Sequence, residues 1–158
     1  MSEIVLTRID DRLVHGQVMT SWLNYTSANK IMIVDDGVAK DMFMKRVLAT
    51  VLPANISLEI YNIANASERI KKGFSPKDKV IILAKLPATI WRMMENGVTL
   101  DKVNVGGMGV SGTRKKFYKN IAVSEEEKEI FKKIVATGCT VTIQIIAEDK
   151  ATDISKLL

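Results

Sequence analysis

The sequence predicts an α/β domain whose mainly parallel sheet is covered by helices on both faces. Three observations carry that reading. Short apolar β-rich runs alternate with segments whose apolar residues recur at helical spacing, as where Lys30–Val34 is followed by Phe43, Met44, Val47, Leu48 and Val51. The runs are apolar at successive positions rather than at every second one, as in Val80–Ala84, which is the pattern of strands buried on both sides. The 158 residues, 47% hydrophobic and 26% charged, have the size and composition of one folded domain spanning 1–158.

Ile4–Ile9 is the first strand, and Gly16–Tyr25, with Val18, Trp22 and Tyr25 at helical spacing, is the helix that follows it. Lys30–Val34 is the second strand, ending in Asp35-Asp36-Gly37, and the stripe from Phe43 to Val51 is the next helix. Ile56–Tyr61 makes the third strand, before a helix through Ser67–Lys72 that Gly73 closes. Val80–Ala84 is the fourth. The helix behind it holds Pro87 in its first turn, where a missing N–H costs nothing, and ends near Gly97. Val103–Val105 and Ile121–Val123 bracket a loop rich in glycine and lysine. Ser124 and Glu127 form a capping box that opens a helix through Val135 to Gly138, and Thr140–Ile146 is the last strand. The eight methionines, including Met42, Met44, Met93 and Met94, read as adaptable core filler rather than as a binding surface.

Several function classes are disfavoured at once. No apolar run approaches the roughly 18 residues that a membrane-spanning helix needs. The segment MSEIVLTRID carries Glu3 and lacks a basic leader and a small-residue cleavage site, which predicts no signal peptide and a cytoplasmic location. One cysteine and one histidine cannot assemble a Cys/His zinc set, and Cys139 reads as a small buried hydrophobe; no metal site and no cofactor are expected. The net charge of +5 suits an acidic partner, but the basic residues are spread along the chain, which argues against nucleic acid.

In parallel sheets ligands sit beyond the carboxyl ends of the strands, so the loops after Ile9, Val34, Ala84 and Val105 form the expected functional edge. The first of these, Asp10-Asp11-Arg12-Leu13-Val14-His15-Gly16-Gln17, holds the sole histidine of the chain. An imidazole serves as base or nucleophile near neutral pH. Arg12 offers a planar fork for phosphate oxygens, and the residues from Gly16 onward present the unpaired N–H groups of a helix start to an anion. Asp10 or Asp11 could accept a hydrogen bond from one ring nitrogen and so fix the tautomer that leaves the other free to attack. Together these describe a phosphohistidine site. The same residues also fit a capped turn with solvated charges and a histidine packed at a helix start, and residue chemistry alone leaves both open.

The segment Arg8-Ile-Asp-Asp-Arg-Leu-Val-His-Gly-Gln-Val18 resembles the active-site loop of the IIB component of the mannose/fructose/sorbose family of the bacterial sugar phosphotransferase system. Ile33–Asp36 with Ala39–Asp41, and Val103–Met108, resemble that family in place and order, and the likeness covers essentially the whole chain. It implies a phosphocarrier. His15 would accept a phosphoryl group on Nδ1 from a phosphohistidine of the IIA component and pass it to a sugar imported through the membrane components IIC and IID. It also implies a protein held peripherally at the inner face of the membrane by those partners. Arg12 would stabilise charge on the transferring group and Asp10 would orient the ring or the loop, roles that electrostatics also supports. Arg8 either assists the phosphate or pairs with a carboxylate, and Asp11, Gly16 and Gln17 are candidates for phosphate or partner contact. Serving two partners calls for an open loop with few bulky anchors and an exposed His15. A homodimer is left open, as is the choice among mannose, fructose, sorbose and galactosamine-type sugars.

Two motifs lead elsewhere. Gly107-Met-Gly109-Val-Ser-Gly112 has the form of a dinucleotide loop, but the residues after it lack a helical stripe, so nicotinamide binding is not expected. Arg114-Lys-Lys116 beside Phe117 and Tyr118 reads as a solvated face rather than a nucleic-acid platform, and one that could meet acidic partner proteins. Removing charge at Lys115 and Lys116 should then raise the apparent KM for a phosphorylated donor. A reading of a different class is a non-catalytic module that binds an anionic metabolite through Arg12 and the helix start. It would tolerate His15→Gln.

Overall fold

The computed structural model describes residues 3–158, so Met1 and Ser2 of the expected 1–158 span lie outside it. Strand β1 (Ile4–Asp10) lies inside a seven-stranded sheet between β4 (Val80–Ala84) and β5 (Lys102–Gly107), paired in parallel with both. Beyond β4 come β2 (Lys30–Val34) and β3 (Ser57–Tyr61), and beyond β5 comes β8 (Thr140–Ile143), all parallel. The short β9 (Thr152–Asp153) closes the far edge antiparallel to β8. A two-stranded hairpin of β6 (Lys115–Tyr118) and β7 (Ile121–Val123) forms its own small sheet, joined to the chain just beyond β5 by the Met108–Ile121 bridge.

Right-handed crossovers decide which helix covers which face. The chain steps one way from β1 to β2 to β3, and the helices on those steps, α1 (Gly16–Thr26) and α3 (Met42–Thr50), share one core with Leu13, Ile31, Ile33, Ile81 and Leu83. It steps the other way from β3 to β4, β5 and β8, and α4 (Ile63–Lys72), α5 (Pro87–Glu95) and α6 (Glu125–Ala136) pack on the opposite face with Ile82, Val105, Phe131 and Val141. The helix starts are written locally. Asp35 caps the four-residue α2 (Asp36–Ala39), Asp41 caps α3, Asn62 caps α4, and Ser124 with Glu127 completes the capping box of α6. The predicted α/β class is therefore the observed one.

Four expectations need correction. The fourth helix starts at Ile63 rather than Ser67, because Asn62 caps it and Ile63, Ala66 and Ser67 are its buried face. The last long strand stops at Ile143 rather than Ile146, because the carbonyls of Gln144 and Ile145 accept hydrogen bonds from the Arg8 side chain instead of continuing a ladder. Part of the loop between the fifth strand and the capping box is the β6–β7 hairpin, turning at Lys119 with φ 49°. Two helical stripes face differently from the reading of periodicity. In α1 the buried residues are Met19, Trp22 and Leu23 while Tyr25 is exposed, and in α3 Leu48 is buried while Met42, Phe43, Val47 and Val51 face solvent. Met93 is core filler, as expected, and Met42 is not. Cys139 is buried as expected, and burial pushes its thiol up to about 11.

Candidate active site

The connection leaving β1 and the connection leaving β5 run to opposite faces of the sheet, which opens a crevice between the carboxyl ends of these two neighbours. The candidate residues lie along that crevice. β1 delivers Arg8 and Asp10, the loop Asp11–His15 follows, and β5 faces them with Asn104, Gly106 and Gly107.

Arg8 is fully buried. Its Nη1 donates to Asn104 Oδ1 and to the Gln144 carbonyl, and its Nη2 donates to the Ile145 carbonyl at 2.8 Å and to Asp10 Oδ2 at 3.2 Å. Trp22 lies against it, 5.4 Å from ring centroid to guanidinium carbon. Burial lowers the Arg8 pKa to about 10, and the Asp10 carboxylate opposes that shift. Of the two roles left open for Arg8, the geometry is that of carboxylate pairing. It stands inside the protein, where it holds Asp10 and the end of β8.

Asp10 is 1% exposed and bridges two guanidinium groups. Its Oδ1 accepts from the Arg12 backbone N–H and from Arg12 Nε, both at 3.0 Å, while Oδ2 accepts from Arg12 Nη2 at 3.1 Å and from Arg8. The side chain of Arg12 is 39% exposed, so one edge of its guanidinium is fixed on Asp10 while the group still reaches solvent. The hydrogen bond to Asp10 raises the Arg12 pKa, which keeps the cation charged.

The expected bond from Asp10 or Asp11 to the imidazole is not formed. Asp10 is committed to Arg8 and Arg12, and Asp11 Oδ2 accepts from the Gly109 N–H at 2.8 Å and from Arg114 Nη1 at 3.4 Å. Both carboxylates shape the loop instead. His15 is exposed and is the N-cap of α1, with its side chain taking no part in capping. Its carbonyl accepts the first helical bond, from Met19 N–H at 3.0 Å. Gly16 and Gln17 follow it in the first turn, both exposed, where amides have no intrahelical acceptor, and that turn carries no acid. Gly16 has φ +35° with open space where a Cβ would stand. The loop does have a bulky anchor, against expectation. Leu13 adopts φ 57° and buries its side chain to 3%, which offsets a strain of about 1–2 kcal/mol.

Two features were not read from the sequence. A Cβ on Gly106 would overlap the Arg8 guanidinium, and one on Gly107 would stand 2.6 Å from Asp10 Oδ1 and 3.0 Å from Arg12 Nη2. This glycine pair is the floor on which the Arg–Asp–Arg bridge rests. No helix opens behind the Gly107–Gly112 motif, as a dinucleotide site would require; the β6–β7 hairpin follows instead. Arg114 departs from the reading as part of a solvated face. Its Nε and Nη2 donate to Glu127 Oε1 and Oε2, both at 2.9 Å, while Nη1 reaches Asp11 and the Gly109 carbonyl. With its side chain 9% exposed, Arg114 ties the His15 loop, the glycine loop and α6 together. Lys115 and Lys116 remain exposed. The signal for Arg114 was present but ambiguous, since a basic triplet does not show which member turns inward.

Comparison with known proteins was consistent at every level. The family described as PTS system sorbose subfamily IIB component matches residues 4–158. The chain is 30% identical to the fructose-specific EIIB component of Bacillus subtilis, over all of this chain and 97% of that protein. It is 34% identical to the mannose-specific EIIAB component of Escherichia coli K12, over 92% of this chain and 45% of that protein. The crystal structure of the IIBSor domain of the sorbose permease from Klebsiella pneumoniae superposes with a TM-score of 0.91 at 26% identity, covering 98% of this chain and 94% of that one. With the same fold and a family match over nearly its whole length, the chain belongs to the IIB components of the mannose/fructose/sorbose family of the sugar phosphotransferase system.

Proposed function

We propose that this protein is a phosphocarrier in which His15 takes a phosphoryl group from a phosphohistidine of the IIA component and delivers it to a sugar imported through IIC and IID. The observation that supports this most strongly is an exposed imidazole at the start of α1, in the same loop as a guanidinium that Asp10 holds in place. In the first transfer, Nδ1 of neutral His15 attacks phosphorus, a P–N bond forms to this chain, and the P–N bond of the donor breaks, leaving its imidazole neutral. In the second, a sugar hydroxyl attacks, the P–N bond to His15 breaks, and as the phosphate ester forms the hydroxyl proton is taken up, in net terms, by the released imidazole, which returns to its neutral form. Both steps rest on positioning and charge stabilisation. Arg12 supplies the cation, and the first-turn amides at Gly16 and Gln17 supply fixed dipoles. Arg8 and Asp10 act at one remove by holding Arg12.

The relatives support the rest of the reading. One is fused with an A component in a mannose-specific EIIAB protein, and others are named for fructose, sorbose and N-acetylgalactosamine. No helix among the described residues is long and apolar enough to cross a membrane, which suits a component that works from the cytoplasmic side and meets the membrane through its partners. The exposed Lys115 and Lys116 are candidates for contact with an acidic partner.

The test is phosphate flow from phosphoenolpyruvate, through the general phosphotransferase proteins and a competent IIA, to wild type and His15→Gln in parallel. Label on wild type and none on the variant is the expected result. Unlabelled wild type beside a competent donor would return Arg12 and the start of α1 to simple anion binding.

A further inference from the structure

Lys85 is the first residue beyond the carboxyl end of β4. Its predecessor Ala84 pairs with Ile9 of β1 and with Val34 of β2, so Lys85 stands level with Asp10 on one side and with Asp35 on the other. Along β4, Ile81 and Leu83 belong to the core under α1 and α3, while Ile82 and Ala84 belong to the core on the opposite face. The same alternation carries Lys85 onto the face of Leu83. The His15 loop returns to that face: Leu13, two residues before His15, is buried in one core with Leu83, two residues before Lys85. Loop and strand therefore rise to the carboxyl edge side by side from a shared apolar base.

Lys85 is half-buried, yet among the described residues it enters no ion pair and no side-chain hydrogen bond. The two carboxylates level with it are engaged elsewhere. Asp10 is held by Arg8 and Arg12, and Asp35 caps α2 by accepting from the Val38 N–H at 2.9 Å. A phosphoryl group on His15 brings about two negative charges and three acceptor oxygens to this edge. Arg12 commits Nε and a hydrogen of Nη2 to Asp10, which leaves only part of its fork for those oxygens.

Resting on the reading of His15 as phosphoryl acceptor, we propose that Lys85 is a second phosphate-binding residue, whose ammonium contacts the phosphoryl group from the β4 side while Arg12 contacts it from the β1 side. A point charge on a flexible stem suits a group that is present in one state of the carrier and absent in the other, because it can turn to the oxygens when they arrive and stay hydrated when they leave.

The experiment compares wild type with Lys85→Met, Lys85→Gln and Lys85→Arg. Lys79→Met is the charge control, since Lys79 is exposed just before the other end of the same strand, about 20 Å away at the rise of a β-strand. Two donors are used, phosphorylated IIA and phosphoramidate. In phosphoramidate the P–N bond breaks as a P–N bond to His15 forms, and ammonia leaves, so this donor probes the phosphate site without any protein docking. Both neutral variants should lose about tenfold in kcat/KM with either donor, the effect of removing a unit charge about 6 Å from a doubly charged group even at the dielectric of water. The loss should shrink at high salt. Lys85→Arg should keep most of the rate, and Lys79→Met should match wild type. Unfolding midpoints report an intact fold.

Wild-type labelling of both neutral variants by phosphoramidate overturns the proposal. A loss confined to phosphorylated IIA overturns it as well and assigns Lys85 to donor docking, and an equal loss in Lys79→Met overturns it in favour of net charge alone. Slow transfer in all three Lys85 variants together with lowered unfolding midpoints overturns it in favour of a structural role. Wild type labelled by neither donor overturns the phosphocarrier reading itself, an outcome distinct from these.

Discussion

Asp10→Asn removes the one carboxylate that faces a fully buried arginine while changing almost no volume. Arg8 is then left as an uncompensated buried cation, and breaking such a pair from one side costs about 3–5 kcal/mol. The reciprocal change is milder for a structural reason. In Arg8→Met the Gln144 carbonyl still receives Asn104 Nδ2 at 3.2 Å and the Ile145 carbonyl still receives Trp22 Nε1 at 2.9 Å. Asp10 keeps its three bonds from Arg12. A loss of about 1–2 kcal/mol is expected there, since a flexible apolar side chain replaces a charge that was costly to bury. The double variant should be more stable than Asp10→Asn alone, because no buried cation remains. Urea unfolding of the four proteins measures this, and Asp10→Asn should lower Tm by about 6–12 °C for a loss near 3 kcal/mol in a chain of this size. An Asp10→Asn protein within about 1 kcal/mol of wild type, or an Arg8→Met loss exceeding it, would refute the assignment of Asp10 as the counter-ion of Arg8.

Three further perturbations probe the same structure. Gly106→Ala puts a methyl group into the Arg8 guanidinium, so a loss of about 3 kcal/mol or more is expected in denaturant unfolding, whereas Gly112→Ala meets no neighbouring atoms and costs about 1 kcal/mol for its positive φ. Arg114→Met frees Asp11 and Glu127 together, and with the His15 loop less fixed the phosphotransfer rate should fall about tenfold, while Lys115→Met leaves this clamp intact. Burial holds the Cys139 thiol up to about 11 from an ordinary 9.0, so the unfolded chain releases this proton first. Stability should therefore fall as pH rises through that window, by up to about 1.4 kcal/mol per pH unit, and Cys139→Ala should remove that part of the slope.

Much of the fold was legible because each strand and helix start is written in adjacent residues: doubly apolar strands, Pro87 at a first turn, Ser124 and Glu127 in one capping box. The carboxyl edge of the sheet as the place to seek a site followed from parallel topology, and the candidate His15 loop from having the one histidine beside Arg12. What could not be read was decided by contacts between residues far apart in sequence. Arg8 meets Gln144 and Ile145 across more than a hundred positions, and this ends the last strand early. Arg114 turns inward because Glu127, already used in a helix cap, lies within reach of its fork. Asp10 was read as a partner of the imidazole because carboxylates orient histidines in many sites. Here two arginines two positions away on either side take both its oxygens. The stripe on α3 misled for a different reason: Phe43, Val47 and Val51 keep helical period whether the apolar row faces the core or a partner.

The most direct test of the central claim is to locate the phosphoryl group. After transfer from phosphorylated IIA, trypsin cleaves following Arg12 and Lys30, so the modified residue should fall on the peptide Leu13–Lys30, which holds one histidine. The account predicts a phosphate on that peptide at His15, labile to acid and stable to alkali, and absent from His15→Gln. A phosphate on any other peptide, or one stable to acid, would contradict it.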